Sequence, residues 1–189
     1  MKRPVVRTSI RFAAARVRRR LARGFTLIEL LVTIAISVIL LTVAAPGFID
    51  FRRNSALADA VSSFIVATST AKASSLKTGR NSFLVPNDTA VGWRSGWFVY
   101  SDKNWNDQFD DTDEVVLTFE ALSPDITLTL PTGSFNDGYI MFTGNGFPRL
   151  KLGGLASGRL TMSVPSRSSS LIMDTAGRVR SCKTDSTGC

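Results

Sequence analysis

The chain has 189 residues, enough for one domain of ordinary size plus an extension, with 23 Lys and Arg against 15 Asp and Glu for a net charge of +8. It contains no His, which removes His-based triads, imidazole metal sites and the commonest general base. The basic surplus suggests a nucleic-acid binder until it is located. Residues 1–24 hold nine basic residues (Lys2, Arg3, Arg7, Arg11, Arg16, Arg18, Arg19, Arg20, Arg23) and no acid, leaving 14 basic against 15 acidic residues in the remainder.

From Phe25 to Ala45 follow 21 residues, FTLIELLVTIAISVILLTVAA, whose only charge is Glu29. As a helix this stretch spans the roughly 30 Å hydrocarbon layer of a bilayer at about 1.5 Å per residue. Lys and Arg beside an apolar span hold that end in the cytoplasm. A secretory signal peptide has a shorter apolar core and is cut behind it, and here Pro46 follows the Ala44-Ala45 pair that could imitate such a site. A plain membrane anchor leaves Glu29 unexplained, since a carboxylate in lipid is costly and is retained for a partner.

Gly24-Phe25-Thr26-Leu27-Ile28-Glu29, behind a basic leader and ahead of an apolar helix, resembles the class III signal of type IV pilins and pseudopilins. The resemblance implies cleavage between Gly24 and Phe25 by the prepilin peptidase, N-methylation of Phe25, and assembly with other pilins in a fibre. It also implies that Glu29 pairs with the new N-terminal amine of a neighbouring subunit. A buried carboxylate needs a cation, and an amine at a helix start supplies one. Pro46 matches the position near which the pilin helix bends or locally melts.

Beyond the membrane, Leu57, Val61, Phe64, Thr68 and Ala71 recur at helical spacing with Ile65 beside them, and Thr78-Gly79 supplies a stop. A helix from Phe25 to about Lys77 is predicted, roughly 80 Å long. After Arg80 short β-type runs follow, punctuated by Gly, Pro, Asn, Asp and Ser. They are Ser82–Val85, Gly96–Ser101, Glu114–Glu120, Ile126–Leu130, Tyr139–Thr143, Arg149–Leu152, Arg159–Val164, Ser169–Asp174 and Arg178–Cys182, with Pro165–Ser170 read as a loop. Short strands without intervening helices mean antiparallel sheets.

The predicted fold class is therefore α+β: a long N-terminal α-helix, transmembrane in its first half, packed on a C-terminal antiparallel β-sheet or β-sandwich head. The expected parts are a cleaved leader (1–24), the transmembrane and assembly half of the helix (25–46), its periplasmic half (47–78) and the β-rich head (79–189). Gly96-Trp97-Phe98-Val99-Tyr100-Ser101-Asp102, an Asn/Asp-rich turn and Glu114-Val115-Val116-Leu117 are similar to the GspH/FimT branch of the pilins. Expected locations are the bacterial inner membrane, head in the periplasm, and then a pilus or pseudopilus.

Two head segments could carry chemistry. Asp102-x-Asn104-x-Asn106 with Asp110 and Asp113 partly imitates a calcium loop, but Asp107 stands where Gly is needed and Asp113 where a bidentate Glu is needed. A solvated turn capped by its own Asx side chains fits better, and no metal or cofactor is expected. The other segment is basic: residues 149–183 hold Arg149, Lys151, Arg159, Arg167, Arg178, Arg180 and Lys183 against Asp174 alone. On a strand, Arg178 and Arg180 share one face about 7 Å apart, a pair able to grip phosphate oxygens. Solubilising arginines on an edge strand are the plain alternative.

Gly177-Arg178-Val179-Arg180 resembles the GRxR motif of FimT-type minor pilins, which implies binding of double-stranded DNA during natural transformation. That carry-over is limited to Arg178 and Arg180; Lys183, Arg167 and Arg159 are candidates from charge alone. Cys182 and Cys189, a close pair in an exported domain, are expected to form a disulfide. The competing expectation is a GspH-like minor pseudopilin of a type II secretion system, where the polarised surface serves subunit docking. An enzyme is not expected: there is no Gly-x-Ser-x-Gly, phosphate-binding Gly loop or thiol–base pair.

Overall fold

The structure is a computed structural model and describes residues 24–184. The leader up to Arg23 and the tail from Asp185, Cys189 included, lie outside the described residues. The chain divides into a unit up to Val43 and a unit from Ala44 onward. One helix, α1 (Leu27–Thr78, 52 residues), contributes to both.

In the first unit the apolar side chains, from Leu27 to Leu41, are exposed around the whole helix. Among the described residues α1 is the one helix long and apolar enough to cross a membrane. The hydroxyls of Thr33, Ser37 and Thr42 donate to carbonyl oxygens three or four residues back, at 2.7–2.8 Å. Polar groups satisfied within their own helix can sit in hydrocarbon at low cost.

In the second unit α1 buries the stripe that the periodicity predicts: Leu57, Val61, Phe64, Thr68 and Ala71. Pro46 lies inside α1, which remains helical through it. A proline deletes a single helical N–H, and the hydrogen bonds on either side carry the helix past it. The helix ends as expected at Gly79, whose φ of 67° and N–H···O bond to Ser75 close the last turn.

The strands are β1 (Ser82–Pro86), β2 (Trp97–Ser101), β3 (Glu114–Phe119), β4 (Thr127–Gly133), β5 (Ile140–Phe142), β6 (Pro148–Arg149), β7 (Gly158–Val164), β8 (Arg167–Met173) and β9 (Val179–Lys183). They form two antiparallel sheets, ordered β3-β2-β1-β5-β6 and β4-β7-β8-β9. The segment read as a loop, Pro165–Ser170, is mostly strand. Only the turn at Pro165-Ser166 is irregular, and Arg167–Ser170 pair with Thr161–Val164 across a tight hairpin. A short 3-10 helix at Gly92–Ser95 gave no periodic signal because it is a single turn.

Strand alternation splits the aromatic residues between two clusters. Trp97, Val99, Leu84, Ile140 and Phe142 face α1 and the inner face of the second sheet. Phe83, Phe98, Tyr100 and Met141 face the other way and form a small outer cluster under the Asp102–Asp113 loop. Phe64 sits where everything meets, edge-on to Trp93, Trp97 and Phe135 at centroid distances of 5.4, 5.1 and 5.7 Å. Replacing it with Ala should cost about 3–5 kcal/mol, because the cavity lies between helix and both sheets and cannot collapse. A denaturant midpoint for Phe64→Ala equal to that of the unaltered chain would show that the helix docks by other means.

Candidate functional site

At the start of the helix, Thr26 Oγ1 accepts the backbone N–H of Glu29 at 3.2 Å and so caps the first turn. Gly24, Phe25, Thr26 and Glu29 line one small recess there. The Glu29 side chain forms no ion pair among the described residues.

The basic segment is built on a turn. Asp174 Oδ1 accepts the N–H groups of Ala176 and Arg178 at 3.0 and 2.9 Å, and its backbone N–H donates to the Arg178 carbonyl at 3.1 Å. Gly177 closes it at a φ of 75°; a Cβ there would lie 2.6 Å from Phe142 Cε1 and 3.1 Å from Pro148 Cδ. Only glycine meets both demands. Lys72, from α1, donates from Nζ to the Ala176 carbonyl at 2.8 Å. Sequence reasoning missed Lys72, because its role depends on a contact 104 residues away.

From that turn the chain enters β9, an edge strand of the second sheet. Val179 packs against the core, so Arg178 and Arg180 on either side of it turn outward, and both are exposed. Neither pairs with a carboxylate among the described residues. Asp174, four residues before Arg178, has its carboxylate turned to the backbone amides of the turn.

The register sorts the other basic candidates. Arg180 pairs with Ile172 of β8, which pairs with Arg159 of β7, so Arg159 is on the same outward face. Arg167 pairs with Val164 and Lys183 with Ser169, positions whose strand neighbours point into the core. Arg167 lines a groove against Leu57, Val61 and Ile65 of α1. Five residues proposed from one stretch of sequence are therefore divided between two faces. Cys182 lies on β9 and no free cysteine occurs among the described residues; its expected partner, Cys189, lies outside them.

The acidic loop is a self-bonded turn. Asp102, fully buried, accepts the N–H groups of Trp105 and Asp107; Asp113 accepts those of Lys103 and Asp110. Asp110 accepts from the Thr112 hydroxyl and N–H and from the Asn104 and Asn106 amides. Those bonds, the Thr112 hydroxyl first, hold its pKa down to about 2. Burial, then the Asp113 charge and those of Asp102, Asp107 and Asp110, pushes the Tyr100 hydroxyl well above its ordinary value. No group of three or more His, Cys, Asp or Glu poised to hold a metal ion occurs among the described residues.

A membrane-length helix that opens with a lone glutamate and then docks on antiparallel sheets defines a pilin-like subunit. The model of the prokaryotic N-terminal methylation motif matches residues 19–45, and that of the type II transport protein GspH matches residues 60–178. The chain belongs to the GspH family. Membership makes it a minor pilin or pseudopilin of the type IV pilus and type II secretion class. It implies assembly with other pilins and processing by the prepilin peptidase at the methylation motif.

None of the curated proteins matches the chain. Among solved structures it is similar to the type IV minor pilin FimU of Pseudomonas aeruginosa in two crystal forms. The first, at 12% identity and a TM-score of 0.49, covers 69% of this chain and 90% of that one. The second, at 13% and 0.45, covers 70% and 94%.

The loop bonds carry a pH dependence. The folded Asp110 pKa lies below the ordinary 3.8, so its contribution to stability is complete above about pH 4 and is lost as pH falls through about 2. The thermal midpoint should fall more steeply between pH 4 and 2 for the unaltered chain than for Asp110→Asn. Parallel curves for the two would show that Asp110 does not couple to folding.

Proposed function

We propose that this subunit is a minor pilin that incorporates into a type IV pilus and captures double-stranded DNA through Arg178 and Arg180 for uptake. The observation that carries the proposal is the pair of exposed guanidinium groups on one side of an edge strand, neither matched to a carboxylate among the described residues. Two such groups about 7 Å apart suit successive backbone phosphates, each held by charge-assisted hydrogen bonds. The turn beneath them is fixed by Asp174, Gly177 and Lys72, so little order is lost on binding. A Cys182–Cys189 bridge would hold the strand end further.

The rest of the life cycle follows the same reading. The prepilin peptidase cuts between Gly24 and Phe25 and methylates Phe25; the helix stays in the inner membrane with the head in the periplasm. Glu29 then pairs with the N-terminal amine of a neighbour during assembly. Cleavage removes all nine basic residues ahead of Phe25, so the whole-chain charge does not bear on DNA binding.

A second reading rests on the family description, which is that of a type II transport protein. In it the chain is a pseudopilin, and the paired arginines serve subunit docking. Titrating the chain from Phe25 onward, in detergent, with duplex DNA at two salt concentrations separates the two. DNA capture predicts weaker binding by Arg178→Ala and by Arg180→Ala, and a salt slope shallower by roughly one for each lost contact. No binding by the unaltered chain overturns the DNA reading and leaves the pseudopilin.

A further inference from the structure

The DNA reading names two arginines at a sheet edge; the strand register extends the site across the sheet. Thr132 of β4, Arg159 of β7, Ile172 of β8 and Arg180 of β9 stand in one continuous cross-strand row. Adjacent strands are about 4.8 Å apart, so Arg159 and Arg180 are separated by about 10 Å with Ile172 between them. Ile172 is half-buried while both arginines are exposed. Arg178, two residues before Arg180, adds the third corner of a triangle whose short side is about 7 Å.

Composition and parity both support this face. The four strands β4, β7, β8 and β9 contain no Asp, no Glu and no aromatic residue, whereas they carry Arg159, Arg167, Arg180 and Lys183. On the outward side the row beside Arg159 carries hydroxyls: Thr129, exposed, and Thr161, half-buried, pair in register with Ser170, which is itself fully buried and bonded to Thr161 at 2.8 Å and to Thr184 at 3.3 Å. Hydroxyls and guanidinium groups are the side chains that contact phosphate and sugar. A carboxylate on the same face would repel phosphate, and the strands supply none. Without aromatic side chains the surface offers no platform for unstacked bases, so a duplex fits it better than a single strand.

We propose that Arg159 is a third phosphate contact and that the nucleic acid lies across the outward face of the β4-β7-β8-β9 sheet, with Arg167 and Lys183 outside the contact. This rests on the DNA reading. It adds that a residue of β7, outside the Gly177–Arg180 motif, carries the opposite side of the footprint. Long side chains on a base of about 10 Å can reach phosphates flanking the minor groove, which is about 6 Å wide, while Arg178 and Arg180 follow one strand. The contacts would be independent of sequence and sensitive to salt.

The test uses the chain from Phe25 onward in detergent, a 30-base-pair duplex and a single strand of equal length, at two salt concentrations. Arg159→Ala should weaken duplex binding about five- to tenfold and reduce the salt slope by roughly one, as Arg178→Ala and Arg180→Ala do. Arg159→Lys should recover most of the affinity, because phosphate contact tolerates a point charge; a purely structural role for the guanidinium would not be rescued in the salt slope. Arg167→Ala and Lys183→Ala should stay within about twofold of the unaltered chain, and circular dichroism checks that each variant keeps its fold. If Arg178→Ala and Arg180→Ala weaken binding but Arg159→Ala does not, this face assignment is overturned and the DNA reading stands. Equal losses for Arg167→Ala or Lys183→Ala, or tighter binding of the single strand, also overturn it. If the unaltered chain binds no DNA, both fall.

Discussion

Everything in the head depends on how one helical side chain is enclosed. Phe64 presents its ring to Trp93, Trp97 and Phe135, which come from the 3-10 turn, β2 and the loop after β4. Edge-on aromatic contacts are directional, so this cluster fixes rotation of the helix as well as depth. Once the rotation is set, Leu57, Val61, Thr68 and Ala71 fall into place above and below it. The polar contacts at the rim then follow: Arg53 with Asp125, Ser166 with Asn54, and Lys72 with Ala176.

Charge is distributed in a way that totals conceal. The acidic loop spends its carboxylates on its own amides, with Asp102 buried and Asp110 and Asp113 saturated by N–H and O–H donors. Those acids therefore shape a turn and lid the aromatic cluster of Phe98, Tyr100 and Phe109. The basic strands have no internal acids to spend.

Much of this was legible in the sequence because period and punctuation are local signals. The stripe at Leu57, Val61 and Phe64, the stop at Gly79 and the strand runs all lie where the pattern puts them, within a few residues. The residues missed at the start of β8, Arg167 and Ser168, lie just behind Pro165-Ser166, and their pairing with β7 comes from long-range register that propensity does not encode. The same limit applied to the site. That Arg178 and Arg180 share a side follows from spacing alone. That Arg159 joins them while Arg167 and Lys183 do not requires knowing which residue of β8 faces which residue of β7 and β9.

The Asp174–Arg178 turn has a mechanical meaning as well as a chemical one. It sits at the end of an edge strand, where a pull on Arg178 would unzip β9 from β8 one hydrogen bond at a time, the weakest way to load a sheet. Two attachments divert that force. Lys72 ties the Ala176 carbonyl directly to α1, and Gly177 is seated against Phe142 and Pro148 with no room to slide. Tension entering at the arginines would pass within a few residues into the helix, the element by which pilins are joined into a fibre, and largely bypass the strand edge that would otherwise peel.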